Sequence, residues 1–267
     1  MDDLQAQGIS TWIWRVVICF LLLGSIPACG RIGDRGLARI QSAGVLRVAI
    51  DPSFAPFAYV DEAGTLVGYD VDLARALAEQ LEVEAHFVTT GYDALYDALT
   101  VGRADVIISA LYPDLSRTHA FTYSRPYFNA GDVLVVPPDR DIDALEDLVG
   151  GKVVCRFGTT GHMVALTWQE TWTPPPEVVP IEDSEAGGAI LMAGDADALV
   201  IDHVTALGLV VAHPPLRIVD PPVTDEPYVI AARDEDQALI DALNQALAAL
   251  EADGTLAALE SRWMASR

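Results

Sequence analysis

The sequence predicts an α/β fold, because short apolar strands alternate with amphipathic helices along most of the chain. The run Asp105-Val106-Ile107-Ile108-Ser109 is apolar and rich in β-branched residues, which is typical of a strand buried on both faces of a parallel sheet. A strand–helix–strand–helix series precedes this run, and a second series of the same kind follows Pro137-Pro138. Two sets of parallel strands with crossover helices are therefore expected, without a tandem sequence repeat.

The first series follows a predicted helix that ends near Ser42. Leu73, Leu77 and Leu81 recur on one face of its main helix, and Asp70 is the candidate N-cap. The predicted strands of this series are 45–50, 86–90 and 105–109, and the predicted helices are 70–81 and 92–101.

The second series has the same alternation and ends in two helices. Its turns are marked by Gly158-Thr159-Thr160-Gly161 and by Pro174-Pro175-Pro176. The predicted strands are 132–137, 152–156, 178–181, 198–201 and 228–232, and the predicted helices are 161–171, 186–193, 235–252 and 254–263.

The composition limits the kinds of molecule that the protein can bind. Hydrophobic residues make up 51% of the 267 residues, which is enough for a large core and too many for a disordered chain. Asp and Glu number 39 against 16 Lys and Arg, a net charge of -23. Such a surface repels phosphate backbones and anionic lipid, so no nucleic-acid partner is expected.

The three cysteines do not form a metal-binding or disulfide pattern. Cys19, Cys29 and Cys155 contain no CxxC pair, and no Cys/His cluster has the spacing of metal ligands. Cys155 lies in a predicted strand, where a small buried side chain is expected. The sequence predicts neither a metal nor a cofactor.

The N-terminus predicts export. Val16–Leu23 is an uninterrupted apolar run, too short for a transmembrane helix and typical of a signal peptide. Ile26-Pro27-Ala28-Cys29-Gly30 resembles a bacterial lipoprotein processing box, which predicts a signal peptide over residues 1–28, lipidation of Cys29 and a tether over 29–39. A plain secretory signal stays the alternative. The expected location is extracytoplasmic, with the lipid as the only membrane contact.

The residues after the buried strand suggest a ligand site, with two interpretations of Arg117. The chain leaves the predicted sheet at a strand's carboxyl end, where open α/β sheets bind ligands, and an aromatic cluster over 121–128 follows. A guanidinium there can hold a carboxylate with two parallel hydrogen bonds. Most arginines are solvated surface charges instead, so the residues alone leave both interpretations open.

The stretch Gly68-Tyr69-Asp70-Val71-Asp72-Leu73, continuing to Leu81, resembles the signature of the polar amino-acid family of bacterial extracellular solute-binding proteins. These are the capture subunits of ABC importers, and the resemblance covers about residues 45–263. It implies two Rossmann-like lobes joined by two hinge strands, a type II periplasmic-binding fold with the ligand in between. The first lobe would comprise residues 40–132 plus 228–267 and the second 133–227, including the hinge strands. The signature is expected to be structural, and the implied partners are permease subunits and an amino acid bound by a monomer.

The resemblance also implies the ligand contacts. Arg117 would bind the ligand carboxylate and Asp202 the ammonium group, while the Thr159-Thr160-Gly161 loop would meet the carboxylate at a helix N-terminus. Tyr112 departs from the usual Ser or Thr, and Phe157 replaces a residue that is polar or basic in some relatives. The remaining implied contacts are Asp51, Phe54, Tyr92, the carbonyl of Ala110, Tyr112 and Phe157.

Three functions are weighed from the sequence. A binding module leads, with no catalytic residue expected. A cyclohexadienyl dehydratase-like enzyme on the same fold is the alternative, although His162, the nearest histidine, is expected to be solvated. A receptor sensing domain is disfavoured, because no membrane-spanning segment follows the predicted fold. Asp51 favours a basic or neutral polar ligand over an acidic one, unless it only caps the following loop.

Overall fold

The computed structural model describes residues 35–264, so the predicted signal peptide and Cys29 lie outside the described residues. Two five-stranded sheets organise this part of the chain, and small two- and three-stranded sheets accompany them. The strands are β1 (Val45–Ile50), β2 (Ser53–Phe54), β3 (Ala58–Val60), β4 (Leu66–Val67), β5 (Glu84–Thr89), β6 (Val106–Ile107), β7 (Phe121–Tyr123), β8 (Phe128–Asn129), β9 (Asp132–Val136), β10 (Lys152–Arg156), β11 (Glu177–Ile181), β12 (Ala198–Asp202), β13 (Arg217–Val219), β14 (Pro227–Tyr228) and β15 (Ala231–Arg233).

The helices lie between these strands and at the end of the described chain. Short 3-10 turns also occur, among them Tyr92–Ala94 and Leu115–Arg117. The α-helices are α1 (Arg35–Ala43), α2 (Tyr69–Gln80), α3 (Leu95–Thr100), α4 (Thr160–Thr171), α5 (Ser184–Met192), α6 (His203–Ala212), α7 (Gln237–Ala252) and α8 (Thr255–Met264).

The two large sheets share one arrangement of strand directions but differ in connectivity, because the fourth strand in spatial order is the last of its sheet along the chain in one case and the first in the other. The first has the order β5-β1-β6-β15-β7, with β1 parallel to β5 and β6, and β15 antiparallel to β6 and β7. The second has the order β11-β10-β12-β9-β13, with β10 parallel to β11 and β12, and β9 antiparallel to β12 and β13. The predicted α/β fold with two parallel strand sets is confirmed.

Helices cover both faces of each sheet. On the first sheet, Leu73 and Leu77 of α2 pack in one core, while Leu95 and Leu99 of α3 belong to the core of the opposite face. On the second sheet, Trp168 of α4 lies in one core and α5 and α6 contribute to the other. The leucine spacing that predicted the first-series helices therefore marks the faces that they bury.

A two-stranded ribbon joins the two sheets. β8 pairs antiparallel with β14, with Phe128 opposite Tyr228, where the chain passes from the first sheet to the second and back. The first crossing was expected at residues 132–137, but Asp132–Val136 is a strand of the second sheet, and the crossing precedes it. The lobe boundaries at 132/133 and 227/228 stay a prediction.

Other local expectations are wrong. Gly68 and not Asp70 precedes helix α2, with φ at 137°, and a Cβ on Gly68 would lie 2.1 Å from the carbonyl oxygen of Phe57. Helix α1 begins at Arg35, so residues 35–39 of the expected tether are helical. Helix α6 and strand β13 were not expected, and the strand expected at 228–232 is divided between β14 and β15.

Candidate functional site

A pocket of about 460 Å³ lies where the chain leaves the carboxyl ends of β5 and β6. We call it the first pocket. Ligands of open α/β sheets bind at this end of the strands. Its lining includes Tyr92, Asp93, Tyr96, Tyr112, Asp114 and Arg117.

Arg117 is oriented in the first pocket by its own local sequence. Asp114 caps the 3-10 turn Leu115–Arg117 by accepting from the Ser116 N–H, and it accepts a 2.8 Å hydrogen bond from Arg117 Nε. Hydrogen bonds from Ser116 and the Arg117 charge hold the pKa of Asp114 below its ordinary value. The guanidinium lies 4.8 Å from the ring centre of Tyr96. Within residues 35–264 its two Nη groups have no partner, so they can serve a bidentate carboxylate.

Tyr112 lines the first pocket and contacts the ribbon between the sheets. Its ring meets that of Tyr228 edge-on, with the ring centres 5.0 Å apart, and its hydroxyl donates to Glu226 at 3.2 Å. The side chain nonetheless stays 44% exposed. A tyrosine at this position therefore narrows the pocket without closing it.

Ala110 has a buried, left-handed backbone. Its φ is 44°, and its N–H donates to Asp70 at 2.7 Å. Its carbonyl oxygen accepts from no donor among the described residues. An unpartnered carbonyl at a nearly buried position favours the implied role of accepting from a ligand.

Asp51 and Phe54 line neither of the two pockets described here. The Asp51 carboxylate accepts from the N–H groups of Ser53 and Tyr92, at 3.1 and 2.9 Å. Phe54 stacks on Phe57, with the ring centres 5.6 Å apart. These contacts correspond to the loop-capping alternative for Asp51.

A second pocket, of about 310 Å³, lies at the carboxyl ends of β10 and β12. Asp202 of β12 is paired with Asp132 of β9 in the antiparallel register, which brings both carboxylates to this edge of the sheet. Burial, Asp202 and Glu226 raise the pKa of Asp132. The lining includes Asp132, Arg156, Thr159, Thr160, Asp202 and Glu226.

Two helices begin at the second pocket. Thr159 caps α4 by accepting from the His162 N–H at 3.2 Å, and Asp202 caps α6 by accepting from the Thr205 N–H at 2.9 Å. Gly161 is buried, and a Cβ there would lie 3.0 Å from Asp132 Cγ, so Gly161 packs beneath the pocket rather than lining it. Thr160 lines the pocket, and its implied contact with the ligand carboxylate stays a prediction.

Arg156 lines the second pocket, whereas Phe157 was expected to contact the ligand there. Arg156 ends β10 and lines the second pocket, and its guanidinium has no partner within residues 35–264. Phe157 does not line it and is 66% exposed, with its ring centre 5.3 Å from that of His162. The expectation of a solvated His162 is also wrong, because the side chain is buried and its Nδ1 accepts from the Gly158 N–H at 3.2 Å.

The Tyr112–Glu226 hydrogen bond joins the linings of the two pockets. The expected contacts did not include Asp132, Arg156 or Glu226; their common signal is a charged residue at the start or end of a strand of the second sheet or directly before a strand of the ribbon. Across residues 35–264, no group of three or more His, Cys, Asp or Glu side chains could hold a metal ion. In the same residues no helix is both long and apolar enough to cross a membrane.

The two pockets include six of the implied contacts. Tyr92, Tyr112 and Arg117 line the first pocket, and Thr159, Thr160 and Asp202 line the second. The implied contacts that line neither pocket are Asp51, Phe54, Ala110, Phe157 and Gly161.

Two α/β lobes with the same arrangement of strand directions, joined by a ribbon and each carrying a polar pocket, define a two-lobed binding protein with the type II periplasmic-binding fold. A family model described as bacterial extracellular solute-binding proteins, family 3, matches residues 46–266. The chain belongs to this family, as the Gly68–Leu81 signature predicts.

Individual relatives are similar over most of the chain. A probable amino-acid ABC transporter-binding protein of Haemophilus influenzae is 29% identical over 238 residues, 88% of either chain. The solved structure of an ancestral cyclohexadienyl dehydratase has a TM-score of 0.72 at 27% identity, covering 85% of this chain and 95% of its own. The L-cystine solute receptor of Neisseria gonorrhoeae, in the unliganded open conformation, has a TM-score of 0.67 at 27% identity, covering 86% and 96%.

Proposed function

We propose that the two pockets bind one amino acid between the lobes and that the protein delivers it, as an extracytoplasmic monomer, to the permease subunits of an ABC importer. The observation that carries this proposal is the division of charge, with Arg117 in one pocket and Asp202 in the other. An amino-acid zwitterion has one fixed anion and one fixed cation, which these two side chains match. One ligand that contacts both lobes favours their closed arrangement.

The charges around the pockets favour a basic or neutral polar amino acid. Asp132, Asp202 and Glu226 surround the second pocket against the single cation of Arg156. An acidic ligand side chain would meet these carboxylates, and like charges held close together in a poorly solvated site cost several kcal/mol. The negative charge near the ligand is thus carried by this pocket more than by Asp51, whose carboxylate accepts two backbone hydrogen bonds.

A thermal-shift screen of the mature domain against all amino acids tests both statements. We expect arginine, lysine, histidine or glutamine to raise the melting temperature more than glutamate or aspartate does. A ligand present at 100 times its Kd should add about 2.7 kcal/mol to the free energy of unfolding. Displacement of the best ligand by an equal concentration of glutamate would contradict the charge argument, and no shift with any amino acid would contradict the proposed function.

Asp202 allows the ligand role to be separated from the capping role. Asp202→Asn keeps a side-chain oxygen for the Thr205 N–H and removes the charge, whereas Asp202→Ala removes both. We expect calorimetry to show that both variants weaken the ligand by about 10- to 100-fold, as for a lost charge-assisted hydrogen bond. Only Asp202→Ala should lose about 1 kcal/mol of stability in a denaturant melt. Wild-type affinity in Asp202→Asn would mean that Asp202 caps helix α6 and does not bind the ligand ammonium.

The structural similarity to an ancestral cyclohexadienyl dehydratase supports a second candidate, an enzyme that eliminates the carboxylate, as carbon dioxide, together with water from prephenate or arogenate. Such a reaction needs a general acid or base in the cleft. His162 is a weak candidate, because it is buried and its Nδ1 accepts from the Gly158 N–H. Conversion of prephenate by the purified protein would select the enzyme, and tight binding of an unchanged amino acid would select the binding protein.

We also propose export through residues 1–28 and anchoring through a lipid on Cys29, supported by the apolar run Val16–Leu23 and the Ile26–Cys29 box. Cys29→Ser is expected to move the protein from the membrane fraction to the soluble fraction of a bacterial host. Cys19→Ser is the matched control and should leave the fractionation unchanged. A wild-type protein that is already soluble outside the cytoplasm would show a plain secretory signal instead.

A further inference from the structure

The loop that runs from β6 to the first pocket contains a non-glycine residue with left-handed backbone, Ala110. Ala110 and Glu82 are the only non-glycine residues with positive φ within residues 35–264. Left-handed backbone is unfavourable for a residue that has a Cβ, so the surrounding structure must hold Ala110 there. Tyr112 follows two residues later and lines the first pocket. The direction of the loop into the site therefore depends on what holds Ala110.

Two buried side chains hold it. The Ala110 N–H donates to Asp70 Oδ2 at 2.7 Å and lies 3.1 Å from the Tyr127 hydroxyl oxygen. The Tyr127 hydroxyl donates in turn to Asp70 Oδ1 at 2.9 Å, so the two side chains and the amide form a closed triangle. Asp70 is fully buried and Tyr127 is 5% exposed, which shields all three hydrogen bonds from water.

Hydrogen bonds at the residues before and after Ala110 fix the rest of the loop. The Leu111 carbonyl accepts from the Val229 N–H at 2.9 Å, and the Ser109 hydroxyl accepts from the Asp51 N–H at 2.9 Å. Ala110 lies between these two anchors, with its carbonyl free of any donor in the described part of the chain. A change of φ at Ala110 would rotate this carbonyl and shift Tyr112.

We propose that Asp70 and Tyr127 are positioning residues for ligand binding, because they lock Ala110 in the left-handed conformation that sets the direction of its carbonyl and of Tyr112. This inference rests on the proposed function of the first pocket. Asp70, the third residue of the Gly68-Tyr69-Asp70 sequence, would then act on ligand binding indirectly, through the backbone of Ala110. Both side chains are buried, and neither lines the first or the second pocket.

The test compares the ligand affinity of Tyr127→Phe, alone and combined with Ala110→Gly, with that of the wild type. Tyr127→Phe removes the hydroxyl and keeps the ring that stacks on Tyr69. Loss of the lock should let Ala110 relax and weaken the best amino acid of the screen by about tenfold. Glycine adopts left-handed backbone without penalty, so Ala110→Gly in the Tyr127→Phe background should recover most of that loss. Tyr59→Phe, which removes a hydroxyl from a residue that lines neither pocket, is the matched control and should bind like the wild type.

The outcomes separate this inference from the proposed function. Wild-type affinity in Tyr127→Phe, or an equal loss in Tyr127→Phe with and without Ala110→Gly, would overturn the positioning role, since a general loss of packing is not repaired by glycine at position 110. Failure of the wild-type protein to bind any amino acid would instead overturn the proposed function. Denaturant melts of all four proteins identify a variant that binds poorly only because it is unfolded.

Discussion

Arg117→Ala is expected to abolish amino-acid binding at micromolar ligand while the fold stays intact. Its two free Nη groups are the atoms that would meet the ligand carboxylate, and without them that carboxylate would be buried unpaired. Removing one partner of a buried hydrogen-bonded charge pair costs roughly 2–5 kcal/mol. The Kd should therefore rise roughly 30- to 4,000-fold. Isothermal calorimetry with the best ligand of the screen measures this change directly.

Two further variants identify the cause of the loss. Arg117→Lys keeps a positive charge but cannot form two parallel hydrogen bonds, so its affinity should lie between that of the wild type and that of Arg117→Ala. Arg103→Ala removes an exposed arginine that lines neither pocket and should bind like the wild type. Stability should change little in Arg117→Ala, because the Asp114–Arg117 ion pair is exposed. Wild-type affinity in Arg117→Ala would place the ligand carboxylate elsewhere.

Sequence periodicity predicted most helices because their buried faces are regular. Leu73 and Leu77 recur every four residues and lie in the core, as helical spacing requires. Helix α6 was missed because His203–Ala212 is apolar almost all round and has no polar face to mark its period. The ribbon strands β8 and β14 have two residues each, too few for an alternation to be seen.

The family resemblance pointed to Arg117 and Asp202 but not to the residues that reach the pockets through long-range strand pairing. Each of these two residues lines a pocket, and their implied contacts with a ligand stay predictions. Asp132 reaches the edge of the sheet at Asp202 only through the antiparallel register of β9 with β12, and Glu226 only through the ribbon between the sheets. No local pattern in the sequence encodes either pairing. Phe157 was also expected to face the pocket, whereas Arg156 does so. Strand β10 ends at Arg156, and the alternation of side chains between the two faces of the sheet stops there.

The largest expected loss of stability comes from Asp105, which begins the buried run where the chain enters β6. Its side chain is fully buried, yet it accepts from Arg39 and from both the backbone and the side chain of Arg47, and Arg233 lies 4.0 Å away. Burial alone would raise the pKa of Asp105, but the hydrogen bonds from Arg47 and Arg39 outweigh it and hold the pKa below its ordinary value. This carboxylate therefore ties helix α1 to strands β1 and β6 of the first sheet.

Asp105→Ala leaves these guanidinium groups without their shared carboxylate. Breaking a buried pair costs roughly 3–5 kcal/mol, and we expect about 3 kcal/mol because Arg39 and Arg47 are partly exposed. The melting temperature at neutral pH should fall by roughly 6–12 °C. Asp143→Ala, which removes an exposed partner of Arg217, is the matched control and should change stability by less than about 1 kcal/mol.

The pH dependence of this loss tests its electrostatic origin. A carboxyl group whose pKa is lower in the folded state stabilises the protein above its unfolded-state pKa of about 4, and this contribution disappears as the pH falls through the folded-state value. The difference in unfolding free energy between wild type and Asp105→Ala should therefore be largest near pH 7 and shrink steadily below about pH 4. Denaturant melts from pH 7 down to the acid limit of the fold measure it. A difference that stays constant with pH would mean that Asp105 acts through packing, because a carboxyl group with the same pKa in the folded and unfolded states adds no pH dependence to stability.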